Sequence, residues 1–447
     1  MAATRKPLPN KAVVGAVAEV LARHVAPHAR LTLALSGGLD SVALLHVLVA
    51  LRAAHPFDLQ AVHVHHGLSP HADEWADFCT RLCASHAVDL VVHRVRIARD
   101  DPAGIEAAAR RERQRVFAGL DADFLLTAHQ LDDQAETLVL QLLRGAGPKG
   151  LAAMAEMQHH PGWQAVQLRP LLGVARARIL EDAQRQGLAW VEDESNQDIR
   201  YRRNALRQQV MPLLDMHFPG SHATLARAAT LQAEAAGLLD VLARLDAINA
   251  IDGGRLDCVA LARLSIPRAR NLLRHFIEQH GQTMPSLRRL DEALHQLRDA
   301  QADARVRIGL GALELWRFRG GAYLVPAPPT PAAPVRWQGE ATVWVPAAGV
   351  NVHMDVVTGA GLKRDVLEAG TVTLWVRQGG ERLRLHAGGP HRSLKNLLQE
   401  HAIPPWQRAR LPLLWCDGRL GWAAGIGFDA DLCAAPGEPG VLPRMAN

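Results

Sequence analysis

Four short apolar runs recur between residues 30 and 130: LTLAL (31–35), LQAVHVHH (59–66), LVVHRVRI (90–97) and ADFLLTAH (122–129), each separated from the next by a helix-length segment. Strands joined by connections of that length do not pair as hairpins. They fold as βαβ units, which builds a parallel sheet with helices on its faces. In such sheets ligands bind at the carboxyl ends of the strands. The runs ending at Ser36, His65 and His129 therefore open toward one edge, and the search for chemistry begins there.

The first strand runs straight into SGGLDS (36–41). Two glycines let the backbone turn sharply and approach a ligand closely, and the residues after them start a helix whose first amides attract anions. Ser36, Gly37, Gly38, Leu39, Asp40 and Ser41 thus read as a phosphate cradle. The GxxxxGK[ST] spacing of a Walker loop is missing, and with it the lysine that reaches the β- and γ-phosphates. A hydroxyl-rich cradle with a carboxylate suits a site that holds pyrophosphate as a leaving group, with Asp40 positioning Mg2+. A Ser-Gly turn with a helix cap is the plainer reading, and it does not require strand, double glycine and helix start to coincide.

HQLDDQAET (129–137) follows the fourth strand. On a helix, Asp132 and Asp133 lie four and three residues before Glu136, giving one acidic face with His129 a turn earlier. Carboxylates crowded in this way repel unless a cation joins them, and Mg2+ or a substrate ammonium would serve. Acidic residues also complement a helix N-terminus without any ligand. HVHHGL (63–68) holds three histidines but lacks the further ligands of a zinc site, so nucleotide framing by His65 or strand-end packing is the better reading. RGAGPKGL (144–151) contains G-x-G-x-x-G after a helix-like segment rather than a strand, which argues against a dinucleotide fingerprint.

With 447 residues, of which 48% are hydrophobic, the chain has material for two or three domains. The boundaries read as a catalytic domain over 1–217, a helical domain over 218–325 rich in Ala, Leu and Arg at helical spacing, a Pro-rich linker over 326–335, and a small mixed C-terminal domain over 336–447. There, TVTLWVR reads as a strand and SLKNLLQE as a basic helix. Fifty Lys and Arg against 45 Asp and Glu leave a formal charge of +5, a mild excess that favours an anionic partner only slightly. Five scattered cysteines without a CxxC pair argue against both a disulfide framework and a zinc ribbon. The absence of a long apolar stretch, together with a charged N-terminal segment, leads to the expectation of a cytoplasmic protein with no membrane association.

SGGLDS resembles the SGGxDS motif of the PP-loop ATP pyrophosphatases, which cleave ATP between the α- and β-phosphates to adenylate a carbonyl oxygen. Within that group, HQLDDQAET, GIEAAARRERQRVF (104–117), RGAGPKGL, RPLL (169–172) and WVEDESNQDIRYRRNALRQQVMPLL (190–214) are similar to the tRNA(Ile)-lysidine synthetases. GGERLRLHAGGPHRSLKNLLQEHAIPPWQRARLPLLW (379–415) resembles the last domain of the longer ones. The resemblance implies an α/β fold: a parallel-sheet PP-loop nucleotide-binding domain, then a helical middle domain and a small mixed α/β C-terminal domain. It implies a ligase that uses ATP and Mg2+ to join L-lysine to C2 of cytidine 34 in the CAU anticodon of an isoleucine tRNA. Arg110 and Arg207 take positions of family arginines at the reacting site, with Arg203 close enough to Arg207 to share its assignment. Asp133 and Glu136 become the lysine-binding pair, and Asp40, Arg110, Glu136 and Arg207 the catalytic set. Arg392, Lys395, Arg408 and Arg410 suit contact with tRNA phosphates, and a homodimer is one assembly state the resemblance allows.

Two alternatives compete. A tRNA 2-thiolation enzyme shares the SGGxDS loop but commonly handles sulfur with paired cysteines, and no suitable pair is present. A non-catalytic RNA-binding protein on a degenerate nucleotide fold does not require Asp40, Asp133 and Glu136 all to persist.

Overall fold

The protein was studied as a computed structural model, which describes residues 11–98, 100–281, 284–299, 306–327 and 332–446. It comprises two compact units, divided between Leu238 and Leu239. The charged N-terminal segment (residues 1–10) and residues 328–331 of the Pro-rich stretch lie outside the described residues.

The first unit begins with α1 (Lys11–His24), β1 (Arg30–Ala34), α2 (Leu39–Leu51), β2 (Asp58–His65), α3 (Ala72–Ser85), β3 (Asp89–Arg94), α4 (Ile105–Ala118), β4 (Phe124–Leu126) and α5 (Leu131–Leu142). It continues with α6 (Pro148–Leu151), β5 (Met157–Gln158), β6 (Val166–Leu168) and α7 (Arg176–Arg185), then α8 (Arg202–Ala205), a π-helical segment (Leu206–Val210) and α9 (Met211–His217). The six strands form one sheet in the order β3-β2-β1-β4-β6-β5. β1 pairs parallel with both β2 and β4, β2 with β3, and β4 with β6, while only β5 runs antiparallel at the edge. All four runs identified from the sequence are strands of this sheet.

The order places a topological switch point between β1 and β4, because the chain leaves β1 for β2 on one side and returns to β4 on the other. Loops at such a point diverge and leave a crevice. SGGLDS leaves β1 here, and HQLDD leaves β4. The scaffold is tightly packed here: Leu31 and Leu33 of β1 and Leu44, Leu45 and Leu48 of α2 are fully buried in one core.

The helix α10 (Ser221–Ile248) runs across the division between units. In the second unit, the segment expected to be helical also carries a five-stranded antiparallel sheet. It is built from β7 (Ile251–Asp252), β8 (Arg255–Asp257), β9 (Arg307–Leu310), β10 (Leu313–Phe318) and β11 (Gly321–Pro326), in the order β7-β8-β11-β10-β9. Helical spacing correctly marked α11 (Cys258–Arg263), α12 (Ile266–Gln279) and α13 (Leu287–Asp299), whose Leu272, Phe276, Leu290 and Leu297 fill the core against that sheet. β7 and β8 are too short to show an alternating pattern. The β10–β11 hairpin turns at Arg319 and Gly320, both at positive φ, a two-residue turn whose backbone matches the strand twist. Beyond it, residues 335–446 form two further antiparallel sheets and a short hairpin. The expected strand in TVTLWVR is Val372–Val376, and the expected basic helix is Leu394–Glu400, whose Leu394, Leu397 and Leu398 are buried.

Candidate active site

The cradle is shaped by a close approach that only glycine permits. Gly37 sits at φ +87, and a Cβ there would lie 2.9 Å from Val191 Cγ2 and 3.1 Å from Cys79 Sγ. The Val191 amide donates to the Gly37 carbonyl at 3.0 Å, fixing the loop against the 190s segment. Ser36 Oγ accepts from the Gly38 amide at 3.3 Å, and Ser41 Oγ donates to the Gly38 carbonyl at 2.9 Å, 3.1 Å from Ser36 Oγ. No side chain caps α2, so its leading amides are left for an anion. Gly37→Ala should therefore cost about 1–3 kcal/mol in backbone strain alone, with the clash added. A lowered unfolding temperature and weakened binding of a non-hydrolysable ATP analogue are the expected readouts.

Asp40, on the first turn of α2, has a buried Oδ1 with no hydrogen-bond partner. Burial, then the negative charge of Asp133, pushes its carboxyl up to about 6. Arg176 and Arg207 pull in the opposite direction, and Asp132 adds to the rise. A buried carboxylate oxygen left unpaired is costly unless a cation meets it, which fits Asp40 as a Mg2+ ligand. Among the described residues no three His, Cys, Asp or Glu side chains gather to hold a metal. An ion at Asp40 would need phosphate oxygens and water for the rest of its shell, as Mg2+ commonly does at nucleotide sites.

The acidic face of α5 lies across the switch point. Gln130 caps the helix: its Oε1 accepts from the Asp132 amide at 2.5 Å, and Asp133 Oδ2 accepts from the Gln130 amide at 3.1 Å. Asp133 and Glu136, three residues apart, point the same way and are both buried, Glu136 at 1% exposure. Two guanidinium groups bridge them. Arg203 donates from Nε to Glu136 Oε2 at 2.9 Å and from Nη2 to Asp133 Oδ1 at 2.8 Å. Arg207 donates from Nε to Glu136 Oε1 at 2.6 Å, and from Nη2 to Asp133 Oδ1 at 2.9 Å and Glu136 Oε2 at 3.0 Å. Burial opposes the charge on Arg207, but hydrogen bonding to Glu136 and the charges of Glu136, Asp133 and Asp40 outweigh it and raise its pKa. Asp132 faces another way: it accepts from the Arg176 amide at 3.1 Å and lies 3.5 Å from His222 Nδ1.

Beside this pair is a patch dominated by cations. Arg110 and Arg113 project from α4, both solvent-accessible. Although the Arg113 side chain reaches solvent, crowding by surrounding protein pulls its pKa down first, the charges of Arg110 and Arg203 lower it further, and Glu106 opposes them. His129 is pushed down to about 3, by burial first and then by Arg169, Arg203, Arg113 and Arg110, so the ring is neutral. Its Nδ1 lies 3.0 Å from Thr127 Oγ1, which accepts from Gln167 Nε2 at 3.1 Å, while Arg169 Nη2 donates to Gln167 Oε1 at 2.8 Å. Positive charge concentrated around a neutral ring attracts a polyanion.

The structure brings Ser36, Gly37, Gly38, Leu39, Asp40 and Ser41 together as one loop and helix start, and Asp133, Glu136 and Arg207 as one cluster, with Asp40 within electrostatic reach of Asp133 and Arg207. His65 has partners of its own. It is buried with Nε2 at 3.2 Å from Asp73 Oδ1 and 3.3 Å from Arg94 Nη1. The strand-end histidine with an unpartnered buried nitrogen is His66, whose pKa falls to about 4 through burial and the Arg113 charge. Sequence reasoning did not single out His66 or Arg113, and left Arg203 undecided against Arg207. The doubled arginines of RRERQR and RYRRNALR were the available signal.

The chain matches the PP-loop domain family over residues 10–214, the TilS substrate binding domain over 256–323 and the TilS substrate C-terminal domain over 372–445. It is 45% identical over 436 residues to the tRNA(Ile)-lysidine synthase of Azoarcus sp., covering 96% of this chain and 95% of that protein. The chain belongs to the tRNA(Ile)-lysidine synthase family. The relative from Aromatoleum aromaticum is 47% identical, covering 95% of this chain and 99% of its own, and the one from Nitrosomonas europaea is 42% identical, covering 94% and 93%. Among solved structures, the U34-tRNA thiolase of Methanococcus maripaludis aligns with 49% of this chain and 77% of its own at 21% identity and a TM-score of 0.42. The cysteines near the cradle are poorly suited to sulfur chemistry: burial pushes the Cys79 thiol up to about 12 and the Cys83 thiol up to about 11, and the thiolate is the reactive form. Among the described residues no helix is long and apolar enough to cross a membrane.

Proposed function

We propose that this chain is a ligase forming a C–N bond: it joins L-lysine to C2 of cytidine 34 in the CAU anticodon of an isoleucine tRNA, with ATP converted to AMP and pyrophosphate. The observation that carries this reading is the meeting, at one switch point, of a phosphate cradle, whose carboxylate has one buried, unpartnered oxygen, and a buried acidic pair already holding cations. The first binds a nucleotide, and the second fits an ammonium group. In the first step the C2 oxygen of the cytidine attacks the α-phosphorus of ATP, and pyrophosphate departs from the cradle amides behind Ser36 to Ser41. Adenylation matters because the C2 oxygen leaves poorly until it leaves as AMP. In the second step the lysine ε-ammonium, oriented by Asp133 and Glu136, gives a proton to a nearby carboxylate, and the free amine attacks C2 and expels AMP. Arg110 and Arg113 offer positive charge to the ATP phosphates or the substrate, and Arg207 holds the acidic pair within electrostatic reach of Asp40. The product changes decoding from AUG to AUA. Incubating the purified chain with Mg2+, ATP, labelled lysine and unmodified CAU-anticodon isoleucine tRNA, followed by nucleoside analysis, tests the reading. Label in a modified cytidine with stoichiometric AMP supports it, and ATP cleavage without label in the tRNA defeats it.

Asp40 would hold Mg2+, which when bound neutralises the developing negative charge on the phosphates. Its carboxyl, raised to about 6, must be ionised to do so. Mg2+ affinity in the presence of α,β-methylene-ATP should therefore fall about tenfold from pH 7 to pH 5 as the carboxylate takes up a proton; calorimetric titration at the two pH values checks this.

Residues 1–217 carry the nucleotide and lysine chemistry, and 218–325 and 336–447, joined through 326–335, contact tRNA outside the anticodon. The site of action is the cytoplasm, where tRNA matures. A homodimer is supported by α10. Leu231, Leu238, Val241, Leu245 and Ile248 are exposed by 44–74% and repeat at heptad spacing, as a coiled-coil seam does. An antiparallel pairing layers Leu231 on Ile248 and Leu238 on Val241 of a second copy. Leu238→Glu together with Leu245→Glu should shift sedimentation from dimer to monomer with an unchanged circular dichroism spectrum; an unchanged dimer removes α10 as the interface.

A further inference from the structure

The carboxylates assigned to lysine already have their full complement of cations. Asp133 and Glu136 contribute two negative charges, and Arg203 and Arg207 contribute two positive ones across five hydrogen bonds. Adding a substrate ammonium to that cluster would leave an unbalanced positive charge among buried groups. Exchanging it for one guanidinium keeps the balance.

The surroundings distinguish the two arginines. Arg207 makes three of the five bonds, and its charge is favoured by Asp40 as well as by the acidic pair. Arg203 makes two, and it is also within electrostatic reach of a cationic group: its charge depresses the pKa of Arg113 and of His129, in company with Arg110 and Arg169. Arg203 is therefore held by an anionic pair and repelled by a cationic patch. A polyanion in that patch would reverse the repulsion. The backbone is also irregular here: Arg203 lies in a four-residue helix that passes directly into the π-helical segment Leu206–Val210. Such a segment marks a place where helical register changes locally, and it is frequent at functional sites.

We propose that Arg203 is an internal stand-in for the substrate ammonium, released from Asp133 and Glu136 when lysine binds. The phosphates of ATP promote the exchange by offering Arg203 an anion beside Arg110 and Arg113. Arg203 is thus a specificity-determining residue that keeps the acidic pair occupied until nucleotide is present. The inference rests on the assignment of Asp133 and Glu136 as the lysine site. Its consequence is positive coupling: nucleotide tightens lysine binding, and by linkage lysine tightens nucleotide binding.

The test is equilibrium dialysis of labelled L-lysine against the full chain, with and without saturating α,β-methylene-ATP and Mg2+. In the parent chain the nucleotide analogue should tighten lysine binding by about tenfold, within the usual range of coupling between sites. Arg203→Met should bind lysine without nucleotide as tightly as the parent binds it with nucleotide, and should show less than about a twofold further effect of the analogue. Arg203→Lys, which keeps a cation at the pair, should restore weak nucleotide-free binding and the coupling. Retained binding of the analogue by each variant reports an intact cradle. A parent chain indifferent to the analogue, or Arg203→Met binding lysine no better than the parent without nucleotide, overturns the exchange. Glu136→Gln separates the two layers of the argument: lysine binding that survives this change overturns the lysine-site assignment itself.

Discussion

Asp40→Asn is expected to lower lysidine formation by about a thousandfold, the several kcal/mol that a correctly held metal charge supplies to phosphoryl chemistry, without lowering the stability of the free protein. The two effects have opposite signs for one reason. The Asp40 carboxyl is raised from its ordinary value to about 6 chiefly by burial, so in the folded chain the ionised form is disfavoured relative to the unfolded chain. That penalty is absent below the unfolded value near 4, grows as pH rises toward 6, and is fully present above it. A neutral amide of the same shape removes the penalty at pH 7. The unfolding temperature of the unliganded variant should equal or exceed that of the parent, while stabilisation by Mg2+ and α,β-methylene-ATP disappears. Differential scanning calorimetry with and without ligand, alongside an AMP-release assay, reads both halves. A variant that keeps its turnover contradicts the role given to Asp40.

Glu136→Gln should behave in the opposite way toward stability. Its side chain is only 2% exposed and is paired with two guanidinium groups. Removing the charge leaves Arg203 and Arg207 sharing Asp133 alone, a broken buried pair of the kind that costs about 3–5 kcal/mol. For a unit of this size that corresponds to a fall of about 10 °C in the unfolding midpoint. Lysine transfer should drop by about a hundredfold with the loss of a charge-assisted contact to the amine. Pyrophosphate release in the presence of tRNA should continue, because the cradle and Asp40 are untouched. The diagnostic is a tRNA that is adenylated but not lysylated. Loss of pyrophosphate release together with lysine transfer, in a variant that still binds α,β-methylene-ATP, would show that Glu136 serves the first step as well.

The cradle was legible because its demands are local. A strand end, two glycines and a helix start occupy consecutive residues, and the φ of +87 at Gly37 is a requirement that the residue type itself announces. The acidic face of α5 was legible for the same reason, since helical spacing alone aligns Asp133 with Glu136. Their occupation by Arg203 and Arg207 was not, because those arginines lie 67 to 74 residues away and reach the pair through an irregular turn that no periodicity encodes. His65 and His66 show the limit from another side. Adjacent residues at a strand end point to opposite faces, and sequence alone does not say which one Asp73 and Arg94 will engage. The sheet within the middle segment escaped because β7 and β8 are two and three residues long and α11 to α13 dominate the composition around them.

The central claim is that the C2 oxygen of the cytidine is activated by transfer to the α-phosphate of ATP and replaced by the lysine amine. The most direct measurement follows that oxygen: isoleucine tRNA carrying 18O at C2 of the wobble cytidine is converted by the full chain with ATP and lysine, and the products are resolved by mass spectrometry. The account predicts one 18O in each AMP released and none in pyrophosphate, with nitrogen in its place in the base. Label found in pyrophosphate, or retained in the modified base, would contradict it.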